Sequence, residues 1–282
     1  MSLKSLTVSL GLLKNPVLWL PGLFAGIITV TALWMVFSGA GFIAGKLLFL
    51  GVVLFPFFVA GSLRCMSIKD YGLGLFCRSA TTYFFPVLLP VIVISATIFL
   101  LLILFSIPFA IAGIGNDPAL IGGLFIGIAV PVLVFGFFTD NAAVSEGQNV
   151  FASLKRSMII ASQSFMTVIS CIVMSILCAG VLGMITAMVW GMILADRFTS
   201  YVDLGIAEQQ KIFSEFSSSD WQNILGPDGI IITTAMIGLY VMVLISIFIP
   251  YKQQCFESVH TKEPENKPLT GEYDEKGRWY KY

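Results

Sequence analysis

Charge is what this sequence has least of, and it is missing in blocks. Asp, Glu, Lys and Arg make up 11% of the 282 residues, against about a quarter in soluble domains. From Pro16 to Met35, and in five later stretches, roughly twenty residues at a time pass without a charged side chain. His260 is the only histidine, so a His-rich metal site has no ligands to draw on. Cys65, Cys77, Cys171, Cys178 and Cys255 form no CxxC pair, which removes the usual zinc and dithiol motifs; inside apolar runs such thiols behave as small hydrophobes. Nucleophile elbows, phosphate-binding loops, HExxH and paired intramembrane carboxylates are also missing. Enzyme chemistry is therefore not expected, and neither is a cofactor. With a net charge of zero, nucleic acid is not an expected partner. No Asp, Glu, Lys, Arg or His falls near the middle of any apolar run. A charge there costs about 2.5–3.5 kcal/mol and is kept where function demands it, so ion-coupled transport, proton pumping and voltage sensing are disfavoured.

What is present is apolar surface in helix-length pieces. Hydrophobic residues make up 57% of the chain and aromatics 13%. A helix rising about 1.5 Å per residue needs about twenty apolar residues to cross a hydrocarbon core. The expected fold class is all-α: a polytopic membrane bundle of six transmembrane helices at 16–37, 41–63, 84–112, 119–138, 164–194 and 229–250. These form a transmembrane domain over 1–252 with a long loop at 195–228, followed by a tail at 253–282. Lys4, Lys14, Arg64, Lys69, Arg78, Lys155, Arg156, Lys252 and the lysines and arginine beyond it fall on one side, whereas Lys46, Arg197 and Lys211 fall on the other. By the positive-inside rule both termini face the cytoplasm and the protein sits in the cell membrane. The first residues, Met1 to Lys14, are short, modestly apolar and without a small-x-small pattern, so a cleavable leader is not expected there.

The connections carry more pattern than the spans. Ser145-Glu-Gly-Gln148 reads as a capping box, and after it Phe151, Leu154, Met158, Ala161 and Phe165 recur at helical spacing. Such a segment suits an amphipathic helix lying in the membrane plane on the cytoplasmic face. Residues 3–13 and 71–83 read the same way, and Phe76-Cys-Arg78-Ser79 echoes Leu154-Lys-Arg156-Ser157, which suggests three repeats of an in-plane helix followed by two spans. In the 195–228 loop, short helices are expected at 204–216 and 219–225, the second stopped by Gly226 and Pro227. In the tail, Asp-Glu-Lys-Gly between Tyr273 and Trp279 can turn a small hairpin.

Two groups of residues stand out as candidate sites. Arg78, Ser79, Lys155, Arg156 and Ser157 suit lipid headgroup phosphate at the cytoplasmic surface. Phe213, Phe216, Trp221, Tyr273 and Trp279 suit partner docking, because they leave apolar surface outside the spans. The pairs Gly22/Gly26, Gly41/Gly45, Gly123/Gly127 and Ala179/Gly183 fit close helix packing, within one bundle or between copies. Pro56, Pro90, Pro108 and Pro131 either kink their helices or break them to line a pathway.

The segment VSEGQNVFASLKRSMIIASQSFMTV (144–168), with Leu13-Lys-Asn-Pro16 before the first span, resembles an element of membrane families related to the membrane domain attached to some bacterial glycerophosphodiester phosphodiesterases. That resemblance implies a six-helix membrane module mostly without assigned chemistry. It carries no catalytic residue onto this chain, which lacks the histidines and acidic metal ligands of the soluble phosphodiesterase domain. The expected function is that of a non-catalytic integral membrane protein, organising lipid or serving as an accessory subunit of a membrane assembly. Its expected partners are membrane lipids and a membrane protein, or a second copy of itself. The alternative is a permease for an uncharged or lipid-like solute.

Overall fold

The computed structural model describes residues 2–111, 118–199 and 205–260. All regular structure among them is helical: α1 (Ser2–Leu12), a 3-10 turn at Pro16–Trp19, α2 (Leu20–Phe37), α3 (Gly41–Ile68), α4 (Leu73–Ile111), α5 (Pro118–Phe135), α6 (Thr139–Ser145), α7 (Val150–Gln163), α8 (Phe165–Ile193), a 3-10 turn at Ala195–Arg197, α9 (Ile206–Glu215) and α10 (Ser218–His260). Six of these stretches are long and apolar enough to cross a membrane. An intramembrane helix satisfies its own backbone hydrogen bonds, so each apolar run dictates its structure locally.

The turns are set by single residues. Gly39, at φ 79°, ends α2; the Ala40 N–H reaches the Met35 carbonyl at 2.8 Å and the Gly39 N–H reaches that of Val36 at 3.1 Å. That double closure is the Schellman arrangement, which wants a left-handed residue. Lys69, at φ 61°, ends α3 in the same way, with the Asp70 N–H on the Cys65 carbonyl at 3.2 Å. The Asp70 carboxylate then accepts from the Gly72 N–H at 3.1 Å, turning the chain into α4.

Several expected boundaries move. The third span is not 84–112 preceded by an in-plane helix at 71–83; α4 runs unbroken from Leu73 to Ile111. Nothing in that interval stops a helix, and Pro86, Pro90 and Pro108 all sit inside it. The second span continues from 63 to Ile68. The fourth ends at Phe135 instead of 138, and α6 follows after a turn. The helix expected at 219–225 is the first part of α10, whose backbone departs from helical geometry at Gly226 (φ 64°, ψ 178°). The tail does not start at 253, because α10 continues through Pro250 to His260 and buries Cys255, Phe256 and Val259. The capping box is also corrected. Ser145 closes α6, Gly147 adopts φ 65°, and Asn149 caps α7 by accepting from the Ala152 N–H at 3.1 Å.

The principal packing runs α5–α4–α3–α2–α10–α8, an arc of three helical hairpins with α2/α3 in the middle. Its two ends are linked through α7. The α2–α10 contact is the closest. A Cβ on Gly22 would lie 2.1 Å from Ser246 Oγ, and one on Gly238 would lie 2.2 Å from Val30. Gly22 and Gly26 thus pack within this bundle, whereas Gly41, Gly45, Gly123 and Gly127 have nothing within 4 Å. The three buried apolar clusters gather at the end of the bundle where the described chain starts and stops, drawing on Leu18, Leu63, Phe76, Phe138, Ile160, Tyr251 and Phe256. Beyond them the helices present their apolar sides outward, as on α8, where Met184, Met188 and Met192 are each more than three-fifths exposed.

Candidate functional site

The densest polar chemistry lies in that same packed end, where the last turns of α10 meet α6. The short α6 is anchored by Phe138, Ala142, Ala143 and Val144, all fully buried. That burial aims Asp140, Asn141 and Ser145 at α10. Lys252 donates to Asp140 Oδ1 at 2.5 Å and lies 5.1 Å from the Phe137 ring centre. One residue on, the fully buried Asn141 amide donates to Gln253 Oε1 at 2.7 Å. Gln253 Nε2 in turn donates to Ser145 Oγ at 3.3 Å and to Glu257 at 2.9 Å, and Gln254 donates to the other Glu257 oxygen at 3.0 Å. Arg64, at the end of α3, donates to the Val144 carbonyl at 3.4 Å and lies over the Tyr83 ring at 5.5 Å. Between α3 and α4, the Tyr71 phenol is pushed above its usual range, first by burial, then by the Glu257 carboxylate and Cys65. In a low-dielectric setting such groups are stable only when paired, and nearly all here are. Asn141 Oδ1 is an exception, with no hydrogen-bond partner among the described residues.

The sequence-expected lipid residues divide. Arg78 is exposed on the second turn of α4, and Lys155 is exposed on α7 between Phe151, 76% exposed, and Met158, 52% exposed. Arg156 is instead turned to Glu146 at 3.0 Å. Ser79 is buried, and Ser157 is fully buried, donating to the Phe135 carbonyl at 2.7 Å and accepting from the Phe138 N–H at 3.0 Å. The two serines are therefore corrected from headgroup contacts to packing residues. The helix face that carries each basic residue turns its neighbouring serine about 100° away, toward the core. Lys14 and Lys69 join Arg78 and Lys155 as exposed cations with no ion pair among the described residues.

Of the docking candidates, Phe216 and Trp221 pack edge to face on each other at 5.3 Å and so cover part of their own surface. The side chain of Phe213, and Tyr273 and Trp279, lie outside the described residues. Near the kink of α10, Gln222 donates to the Phe37 carbonyl at 2.7 Å. It lines an open cleft of about 320 Å³ with Trp34, Ser38, Pro227 and Ile230.

Asp140, Asn141, Lys252, Gln253 and Glu257 were not legible as a set. Tyr251, Cys255, Phe256 and Val259, spaced four, five and eight apart, do signal a helix continuing past Pro250. Nothing local signals that its polar side meets residues more than a hundred positions earlier. Among the described residues no three His, Cys, Asp or Glu side chains gather in a way that could hold a metal ion. No family model, curated protein or solved structure matches this chain, so a functional reading has to be built from the geometry above.

Proposed function

We propose that this chain is a non-catalytic integral membrane protein that binds and organises anionic lipid at the cytoplasmic surface, alone or as an accessory subunit of a membrane assembly. Both termini and the packed end lie on the cytoplasmic side in this reading. One contrast carries it. At that end Asp140, Glu146 and Glu257 are all engaged by partners inside the protein, while Lys14, Lys69, Arg78 and Lys155 are exposed and without an ion pair among the described residues. The local balance offered outward is positive. Each such cation near an anionic leaflet contributes about 1 kcal/mol of attraction. The exposed side of α7, with Phe151 and Met158 on either side of Lys155, suits a helix in the headgroup plane that sinks its apolar residues and keeps its ammonium outside.

The permease alternative draws less support. The helices pass through Pro56, Pro90, Pro108 and Pro131 as continuous helices. The departure from helical geometry within a span falls at Gly226, close to the start of α10. The test is the lipid that copurifies with the protein. Replacing Arg78 and Lys155 together by Ala should lower the anionic share of bound lipid measured by mass spectrometry, with the fold unchanged. An unaltered anionic share sinks the proposal.

A further inference from the structure

The cleft between the end of α2 and the start of α10 lies at the other end of the bundle and has no task in the reading above. It holds about 320 Å³ and is lined by Trp34, Phe37, Ser38, Gln222, Pro227 and Ile230. Gly226, at φ 64° and ψ 178°, breaks α10 there in a conformation that favours glycine. Gln222 before the break and Pro227 and Ile230 after it thereby reach one space. The Gln222 amide is held by its bond to the Phe37 carbonyl at 2.7 Å, one of the carbonyls that the end of α2 leaves without a helical partner. That anchorage leaves Gln222 an Oε1 acceptor and a second N–H donor. The Ser38 hydroxyl donates to the Trp34 carbonyl at 2.8 Å and keeps its lone pairs free to accept. Trp34 is 48% exposed, and its indole N–H has no hydrogen-bond partner among the described residues.

We propose that this cleft binds one neutral pyranose ring, presented by a glycolipid headgroup of the adjoining leaflet or by a free sugar. No charged side chain lines it. The 195–228 loop, of which Gln222 and Pro227 are part, carries six carboxylates against Arg197 and Lys211, a balance that repels anions. A cation meets the Arg197 guanidinium, 3.4 Å from where a Cβ on Gly226 would stand. An uncharged ligand rich in hydroxyls avoids both costs. Each hydroxyl donates and accepts, so adjacent ones on a ring match the Gln222 amide, Ser38 Oγ and the indole N–H together. The C–H face of the same ring packs on the indole plane, an apolar body with a polar edge. The volume is at the small end of ligand clefts, about 300–1,000 Å³, with room for one ring and not for a chain of them. Trp34 and Phe37 close the apolar run of α2, the depth at which headgroups begin. Because the ligand is uncharged and bound at the opposite face, the inference stands or falls apart from the anionic-lipid reading and from Arg78 and Lys155.

The test uses the full-length protein in a polyoxyethylene detergent, since glycoside detergents would compete for the cleft. Methyl glucoside, galactoside and mannoside are titrated by saturation-transfer-difference NMR. Native mass spectrometry then compares monoglucosyl and monogalactosyl diacylglycerol with the same diacylglycerol lacking a sugar. At least one pyranoside or glycosyl lipid should bind the wild type, and Trp34→Leu should weaken it about tenfold. Trp34→Phe, which keeps a ring and loses the N–H, should fall between the two. Retention of a glycosyl lipid above the bare diacylglycerol supports the proposal with a headgroup as the source; pyranoside binding without it supports a free sugar. Binding of neither overturns the proposal, as does unchanged affinity in Trp34→Leu. So does displacement of the pyranoside by tetramethylammonium or inorganic phosphate, which would make the cleft an ion site. Should Trp34→Leu not fold, Ile230→Trp fills the cleft from α10, and sugar bound by it as tightly as by the wild type refutes the assignment.

Discussion

Gly22→Ala adds a single methyl group at the tightest point of the bundle. Its Cβ would stand 2.1 Å from Ser246 Oγ and 2.2 Å from the Met242 carbonyl oxygen. The serine is fully buried, and the carbonyl belongs to the α10 backbone, which no rotamer change can move. Ordinary contact begins at 3.4 Å, so α2 and α10 must part by about 1.2 Å near Gly22 (3.4 − 2.2). A gap of that size forfeits much of the dispersion energy of the facing side chains, and overpacking of this kind costs about 1–3 kcal/mol. Alanine's better helix propensity returns at most about 1 kcal/mol. Because the obstacle is backbone and the overlap large, the upper part of that range applies, leaving a net loss of about 2 kcal/mol. Gly45→Ala on α3 is the internal control: with nothing within 4 Å, it should be neutral or slightly stabilising. The measurement is the unfolding midpoint in mixed micelles titrated with denaturing detergent, read by circular dichroism. Adding Ser246→Gly to Gly22→Ala should restore only part of the loss, because the Met242 carbonyl remains in place. The reasoning fails if Gly22→Ala matches the wild type. It also fails if Gly45→Ala is equally damaging, since α3 would then pack there against something outside this bundle.

Three further outcomes follow from the packed end. Asp140→Asn should cost about 1–3 kcal/mol, reduced by the partial exposure of the pair, 13% for Lys252 and 20% for Asp140. The charge swap Asp140→Lys with Lys252→Asp should recover part of that loss in a thermal melt, whereas no recovery would deny the pair its role. Gln253→Leu removes the acceptor of the buried Asn141 amide and should destabilise by about 1–3 kcal/mol. Adding Asn141→Leu should return some of it, because a pair of apolar groups is better than one orphan. A membrane-impermeant maleimide applied from the side of the termini should label the exposed Cys77 and leave the buried Cys65, Cys171 and Cys255 unmodified. Labelling from the opposite side alone would reverse the proposed orientation.

How far the sequence could be read depends on how local each feature's physics is. The short turns were legible because Gly39 meets a steric demand visible in three residues. The expected in-plane helix at 71–83 was misplaced because amphipathic spacing reports which side of a helix is polar, not where a continuous helix bends. Arg78 and Lys155 were legible as exposed cations. Ser79 and Ser157 were grouped with them by adjacency in sequence, although adjacent residues on a helix point about 100° apart. The end of α10 was lost to composition: Lys252, Gln253, Gln254 and Glu257 read as the start of a polar tail, and the α6 partners of Lys252 and Gln253 lie 108 to 112 positions away.

From composition and run length alone came the six helices able to span a membrane, the approximate starts of the first, second, fourth and fifth, and the places where the chain's few charges fall. Each of these follows from about twenty neighbouring residues, since a membrane helix closes its own backbone hydrogen bonds and buries its side chains in lipid without consulting the rest of the chain. The α5–α4–α3–α2–α10–α8 order, the glycines pressed against a neighbour as opposed to those that stand open, and the ring of polar partners around Gln253 emerge only from the packed bundle. Those are properties of pairs of surfaces. Lipid covers an apolar face as readily as a second helix does, so apolar pattern alone does not choose between them; that choice is made by shape and by polar groups that must meet.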